Sequence, residues 1–191
     1  MTVIKEINKF HDEMTKWRRD IHQHPELGYE ERRTSDFVAA KLKEFGIEVN
    51  QGLAKTGVVG TISNGHGPSI GLRADIDALP LEEKNTFKHA STNPGKMHAC
   101  GHDGHTTMLL GAAKYLAAHK NFKGTVNFIF QPAEEGGAGG ERMLQEGLFE
   151  KFPVDSVYGL HNWPGMEPGY FGVGAGPIMA AADVFDLTVF G

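Results

Sequence analysis

The sequence predicts an α/β fold in which helices cover both faces of a mixed, largely parallel sheet. Three observations point to this layered α/β/α class. Apolar residues in the first 45 positions recur at steps of three and four, the period of an amphipathic helix. Short β-branched runs follow, divided by glycine and asparagine turns and interleaved with further helical segments. Polar motifs lie directly after such runs, as expected where ligands bind beyond the carboxyl ends of strands.

The predicted elements follow in order. An amphipathic helix covers residues 3 to about 22 and stops before His24-Pro25, because the residue ahead of a proline disfavours the helical conformation. A second helix runs from Glu30 to Phe45, with Gly46 as its carboxyl-terminal cap. The later segments are strands over 47–53, 57–62 and 69–76, a helix over 104–118, a strand over 125–130, a short helix over 140–148 and a strand over 156–160.

Composition and charge limit the classes of function. The chain has 191 residues, a formal net charge of -5 and no dense Lys/Arg cluster, which argues against nucleic-acid or anionic-membrane binding and favours a small-molecule partner. It contains no apolar run of the roughly 20 residues that cross a bilayer and no signal-peptide core, so a cytoplasmic location is expected. The single Cys100 cannot form an internal disulfide. It is therefore a metal ligand, a nucleophile or a buried filler.

Three short segments make sense as one metal site. They are M-H-A-C-G-H-D-G-H at 97–105, Q-P-A-E-E-G-G at 131–137 and G-L-H-N-W at 159–163. Thiol, imidazole and carboxylate groups together are the ligands that a borderline-soft divalent cation selects. Cys100 and His102 stand two apart in a predicted loop, so that a turn can aim both at one cation. His98 and His105 could also be ligands, or could cap the helix or form local hydrogen bonds.

The acidic pair Glu134-Glu135 suggests two different roles at one metal centre. Neighbours on a regular strand face opposite sides, so both can serve one centre only if the chain bends there. One carboxylate could then bind metal while the other takes a proton from water.

His161 follows an apolar strand, and its role as a metal ligand is favoured by the presence of the other two segments. The charged residues of R-A-D-I-D (73–77) form either a strand edge or a group that orients a ligand imidazole, with Asp75 preferred for that role.

Five segments together resemble one family. R-R-D-I-H-Q-H-P-E-L-G-Y-E-E (18–31), G-L-R-A-D-I-D-A-L-P (71–80) and the three segments above are similar to the metal-dependent amidohydrolases that include hippurate hydrolase, bacterial N-acyl-amino-acid deacylases and plant indoleacetyl-amino-acid hydrolases. The resemblance covers nearly the whole chain. It implies a hydrolase with two divalent metal ions, zinc or manganese with cobalt or nickel as alternatives, that cleaves N-acyl amino acids or dipeptides.

The resemblance also implies roles for individual residues. Cys100, His102, Glu135 and His161 look like metal ligands, and Glu134 looks like the general base. Members of this family are about twice as long. A lid and dimerisation domain, inserted after a strand near Ala182, supplies a carbonyl-polarising histidine, and the resumed catalytic domain supplies a fifth ligand.

This comparison leads to an expected domain division. Residues 1–181 are predicted to be the amino-terminal part of the catalytic domain, and 182–191 the first strand of the lid, with the remainder absent. A homodimer through the lid is possible in the longer form. The chain alone is expected to be weakly active or inactive. The alternatives are a non-catalytic metal-binding or self-associating fragment, and a thiol hydrolase with Cys100 as nucleophile and His102 or His161 as base.

Overall fold

The structure is a computed structural model that describes residues 4–181, 183 and 185–191. By contact, the chain divides into two compact units, Thr2–Asn162 and Trp163–Gly191. All the helices and strands of the described residues belong to the first unit. The helices are α1 (Lys5–Asn8), α2 (His11–Gln23), α3 (Arg32–Glu44), α4 (His102–His119), α5 (Gly139–Gln145) and α6 (Leu148–Lys151). The strands are β1 (Glu48–Leu53), β2 (Gly57–Asn64), β3 (Ser69–Asp75), β4 (Gly124–Gln131) and β5 (Ser156–Gly159).

The five strands form one mixed sheet in the order β1-β2-β4-β3-β5. Strand β2 pairs antiparallel with both β1 and β4, whereas β3 pairs parallel with β4 and with β5. Strand β2 therefore runs against the other four, which share one direction. This arrangement confirms the predicted mixed α/β class and brings the carboxyl ends of β3, β4 and β5 to the same edge of the sheet.

Helices cover both faces of the sheet, because successive strand residues point to opposite sides. Val58, Phe128 and Phe130 join the larger core, which also contains buried residues of α2, α3 and α4. Val59 and Ile129 join a smaller core that contains residues of α5 and α6 on the other face. The layered arrangement predicted from the alternation of helices and strands is thus confirmed.

Two of the predicted helices are each divided into two shorter helices. The predicted helix over residues 3–22 is two helices, because the Phe10 amide donates to the Ile7 carbonyl, a tight 3₁₀-type bond that interrupts the α-helical ladder. The predicted helix over 140–148 is likewise two, separated by Gly147 at φ 87°. Gly46 caps α3 as predicted, with the Gly46 and Ile47 amides bonded to the carbonyls of the last helical turn.

The second unit, Trp163–Gly191, contains turns and no helix or strand among its described residues. Ala182 and Val184 of the strand predicted over 182–191 lie outside the described residues, and the other eight positions form no strand. The division into a catalytic part and a lid strand stays a prediction. Within the part of the chain that the structure describes, we find no helix that is both long and apolar enough to cross a membrane.

Candidate metal centre

The three sequence segments meet at the edge where parallel strands end. Strand β3 ends at Asp75, β4 ends ahead of the Glu134-Glu135 loop, and β5 ends two residues before His161. The amino terminus of α4 begins at the same edge with His102. Ligand atoms of Cys100, His102 and His161 lie within 4.8 Å of one another, and so do those of His102, Glu134 and Glu135. His102 therefore links both groups.

A glycine turn aims Cys100 and His102 at one place. Gly101 has φ 89°, a left-handed conformation that glycine adopts without strain. His102 is the first residue of α4 and fully buried, which corrects the prediction that it lies in a loop ahead of the helix. The helix starts two residues earlier than its apolar pattern suggested, since the pattern marks only the residues that face the core. Beyond the turn, the Cys100 Sγ lies 3.4 Å from the His161 Nε2.

The chain bends at the glutamate pair, as the sequence required. Ala133 and Gly136 have φ of 49° and 77°, so the segment leaves the extended conformation directly after β4. Glu134 is exposed, whereas the side chain of Glu135 is only 24% exposed and its Oε1 lies 3.8 Å from the His102 Nε2. The two carboxylates of the pair thus lie in different environments.

Two aspartates hold the imidazoles. Asp77 Oδ1 lies 3.1 Å from His102 Nδ1, and Asp77 Oδ2 accepts a 2.9 Å hydrogen bond from the Glu135 amide. The carboxylate that fixes the back of the His102 ring is therefore Asp77. Asp75, the residue preferred from the sequence, contacts His105 Nδ1 at 2.6 Å and lies 3.5 Å from His102 Nε2. Only the alternating D-x-D pattern signalled both roles.

The residues present fit a divalent cation. Among the described residues, the buried atoms His102 Nε2 and Glu135 Oε1 have no hydrogen-bond partner, although they face each other. Buried polar atoms are normally paired, so two such acceptors in one pocket call for a shared positive group. The Asp77 contact directs the Nδ1 proton of His102 away from the pocket, which leaves Nε2 as the lone-pair donor.

The electrostatics of the pocket point the same way. Burial raises the pKa of Cys100 to about 12, and the carboxylates of Glu135, Asp75 and Glu134 add to that rise. Burial would lower the pKa of His102, but the hydrogen bond to Asp77 and the nearby carboxylates raise it above 6.5. This excess of negative charge favours a cation, and a bound metal would hold the thiol deprotonated.

A polar network that the sequence did not reveal supports the start of α4. His22 Nδ1 and Arg18 Nε both contact Asp103 Oδ2 at 2.9 Å, and His22 Nε2 lies 3.1 Å from Glu83. Arg18 and His22 stand one helical turn apart, which was the only signal available. His98, considered as a ligand or a local hydrogen-bonding group, is buried with neither nitrogen partnered among the described residues.

Comparisons with known proteins agree with this geometry. Residues 71–188 match the model of Peptidase family M20/M25/M40. The chain is 50% identical over 192 residues to hippurate hydrolase of Campylobacter jejuni, covering 100% of this chain and 50% of that one. It is 46% identical to IAA-amino acid hydrolase ILR1-like 4 of Arabidopsis thaliana, covering 96% and 42%. The crystal structure of Bacillus subtilis YXEP, described as a dinuclear metal binding peptidase from the M20 family, matches with TM-score 0.78 and 43% identity, covering 83% and 45%.

The fold and the site together define a class, an α/β protein with sulfur, nitrogen and oxygen donors gathered at strand ends. The chain belongs to peptidase family M20/M25/M40. The resemblance recognised from the sequence motifs is thereby confirmed. The chain spans about half the length of the curated relatives it matches.

Proposed function

We propose that this chain carries the metal-binding part of an amidohydrolase that cleaves the amide bond of N-acyl amino acids or related small peptides. The observation that supports the proposal is the convergence of Cys100, His102, His161 and the glutamate pair, whose ligand atoms lie within 4.8 Å in two sets that share His102. The names of the relatives, hippurate hydrolase and IAA-amino acid hydrolase, describe enzymes acting on amides between an acyl group and an amino acid.

In this proposal Cys100, His102, Glu135 and His161 hold the metal. When bound, divalent cations polarise a carbonyl and lower the pKa of water toward about 7. Glu134, the exposed carboxylate of the pair, accepts a proton from the attacking water and delivers it to the leaving amine. Asp77 keeps His102 oriented and fixes the main chain at Glu135. Two cations per complete site, with zinc or manganese preferred, a cytoplasmic location and a homodimer of the longer form stay predictions.

The test separates the two glutamates. Zinc bound per chain is measured by elemental analysis after dialysis, for the wild type and for Glu134→Gln, Glu135→Gln and Glu141→Gln. Glu135→Gln should weaken zinc binding, because an amide is a poorer ligand than a carboxylate. Glu134→Gln should bind zinc like the wild type, and the exposed Glu141 on α5 serves as a matched control.

Activity gives the second arm of the test. In any form of the protein that hydrolyses an N-acyl amino acid such as N-benzoylglycine, Glu134→Gln should lower kcat by about 100-fold or more. If Glu135→Gln binds zinc as tightly as the wild type, its assigned role as a ligand is contradicted. If Glu134→Gln keeps near-normal turnover, its assigned role as the general base is contradicted.

One contact favours a second candidate, a thiol hydrolase. The 3.4 Å approach of His161 Nε2 to Cys100 Sγ is the geometry that such a pair requires. However, the pKa of the thiol is raised to about 12, opposite to the shift that activates a nucleophile. Hydrolysis that survives exhaustive chelation would favour the thiol mechanism over the metal one.

One observation favours a non-catalytic, self-associating role. Strand β5 lies at the edge of the sheet and exposes Val157 and Tyr158, with Leu160 directly after it. An exposed apolar edge strand can pair with another copy of the chain. Concentration-dependent association in sizing chromatography, without zinc binding, would support the self-associating alternative.

A further inference from the structure

His105 is buried beside the candidate metal centre, and both of its ring nitrogens are engaged by the protein. Its Nδ1 lies 2.6 Å from Asp75 Oδ1, and its Nε2 lies 3.0 Å from the backbone nitrogen of Asn162. A carboxylate accepts and a backbone amide donates, so the ring carries its proton on Nδ1 and accepts the Asn162 N–H at Nε2. His105 thus joins α4 to the segment that follows β5.

The residues Asp75, His102 and His105 form a third cluster, whose ligand atoms lie within 4.8 Å of one another and could hold a cation. The contacts of His105 decide whether its donor atoms are free for one. The Nε2 lone pair of His105 already accepts the Asn162 amide. Asp75 is engaged by His105 at Oδ1 and by Arg73 Nη1, 2.8 Å away, at Oδ2. Asp75 and His105 are therefore engaged by the protein itself, whereas His102 Nε2 is the ring nitrogen of this cluster that has no hydrogen-bond partner.

We propose that Asp75 and His105 form a positioning pair, which holds the Asn162 main chain and thereby places the His161 imidazole beside Cys100. The inference rests on the proposed metal role of His161. Residues 160–162 have no regular secondary structure, and His161 is exposed. The His105 and His161 rings pack edge to face, with ring centroids 4.6 Å apart. The direction of His161 thus depends on where Asn162 is held.

The pair is itself rigidly mounted. Arg73, which binds Asp75, also donates to the Gln131 Oε1 through Nε and Nη2 at 2.9 and 2.7 Å, so that β3 and β4 are tied together at their ends. On the other side, the Asn162 side chain packs against Gly101. A Cβ added at Gly101 would lie 2.4 Å from Asn162 Oδ1. Asn162 is thereby held directly beside the Cys100–His102 turn.

The test compares two replacements of His105. The glutamine Oε1 can occupy the position of Nε2 and accept the Asn162 amide, whereas the shorter asparagine cannot reach it. His105→Asn should weaken zinc binding, measured by competition with a chromophoric chelator, by ~10–100-fold, the usual effect of losing a group that orients a ligand. His105→Gln should recover most of that loss. His119→Gln, an exposed histidine on the same helix, should bind zinc like the wild type.

Two nuclear magnetic resonance measurements complete the test. Hydrogen exchange of the Asn162 amide should be slow in the wild type and fast in His105→Asn. Nitrogen spectra of wild-type protein labelled at histidine should show His105 protonated at Nδ1, a readout that needs no variant to fold.

The inference would be overturned if the His105 ring were protonated at Nε2. It would also be overturned if His105→Asn bound zinc as tightly as the wild type and its Asn162 amide still exchanged slowly. Equal loss of one whole zinc equivalent in both His105 variants would make His105 a ligand and overturn it as well. If the wild type binds no zinc, the proposed metal centre fails, and the amide exchange still decides whether His105 holds Asn162.

Discussion

The buried carboxylate of Glu31 offers a sharp test of how the glutamate loop is supported. Glu31 is fully buried, accepts a 2.7 Å hydrogen bond from the Thr56 hydroxyl and accepts a 2.8 Å hydrogen bond from the Ala133 amide. Ala133 directly precedes Glu134. Glu31→Ala leaves the buried Ala133 N–H without its partner, which costs about 1–3 kcal/mol, and removes the hydrogen bond to Thr56 as well.

With the lost hydrogen bond to Thr56 included, we expect a net loss of about 2–4 kcal/mol from the free energy of unfolding. The loss is not larger because the alanine variant no longer buries a carboxylate, whose desolvation opposes folding. Glu31→Gln should lose less than about 1 kcal/mol, since its amide oxygen can serve Ala133 and the Thr56 hydroxyl can rotate to accept. In urea, with a slope near 2 kcal/mol per molar, Glu31→Ala should lower the midpoint by about 1–2 M. The neighbouring Glu30, which is exposed and paired with Lys96, gives the control Glu30→Gln, which should change stability by less than about 0.5 kcal/mol.

The pH dependence has a definite sign. Burial raises the pKa of Glu31 above 4.5 in the folded state, although its hydrogen bonds to Thr56 and Ala133 oppose the rise. The folded protein then binds the proton more tightly than the unfolded chain, so ionisation destabilises the fold as the pH rises above 4.5. The stability of Glu31→Gln relative to wild type should therefore increase with pH. An advantage of the wild type that grows with pH would refute the reasoning, as would equal midpoints for the alanine, glutamine and control variants.

Three further predictions concern other parts of the fold. The hydrogen bond to Asp103 raises the pKa of His22 above its ordinary value of 6.5 against the effect of burial, and Glu83 adds to the rise. The stabilising contribution of His22 should therefore be lost as the pH rises through this raised pKa, and the urea midpoints at acid and alkaline pH should converge in His22→Asn. Gly139→Ala should destabilise by about 1–3 kcal/mol or more in thermal unfolding, because its Cβ would lie 1.8 Å from the Pro132 oxygen, whereas Gly104→Ala, inside α4 with open space around it, should stabilise by about 0.5–1 kcal/mol. Zinc at 100 times its dissociation constant should stabilise the chain by about 2.7 kcal/mol, and a chelator should reverse the shift.

The sequence predicted the fold wherever local patterns decide it. The strands 57–62 and 125–130 alternate or concentrate β-branched residues, and both appear within two residues of the predicted bounds. Helix ends were less predictable. The break at Phe10 and the early start of α4 depend on single hydrogen bonds and on a glycine turn, and such features leave no apolar period in the sequence.

The donors of the candidate site were predictable, but their supports were not. Cys100, His102 and the glutamate pair carry a composition that itself suggests metal binding. Asp77, His105 and Glu31 act through contacts between segments up to 102 positions apart, which no local pattern encodes. The choice of Asp75 for orienting an imidazole was reasonable from alternation alone, yet alternation cannot say which aspartate faces which ring.

The position of these supports gives the motif R-R-D-I-H-Q-H-P-E-L-G-Y-E-E a physical meaning. Arg18 and His22 hold Asp103 at the start of α4, while the Tyr29 hydroxyl donates to the Gly137 carbonyl and Glu31 accepts from Ala133. Residues 18–31 thus contact α4, which carries His102, and the loop that carries the glutamate pair. The segment supplies no proposed ligand, and it precedes residues 71–188, which match the family model. Changes within residues 18–31 should therefore affect metal binding through the geometry of α4 and of the glutamate loop, and a variant such as Glu31→Ala should weaken zinc binding in parallel with its loss of stability.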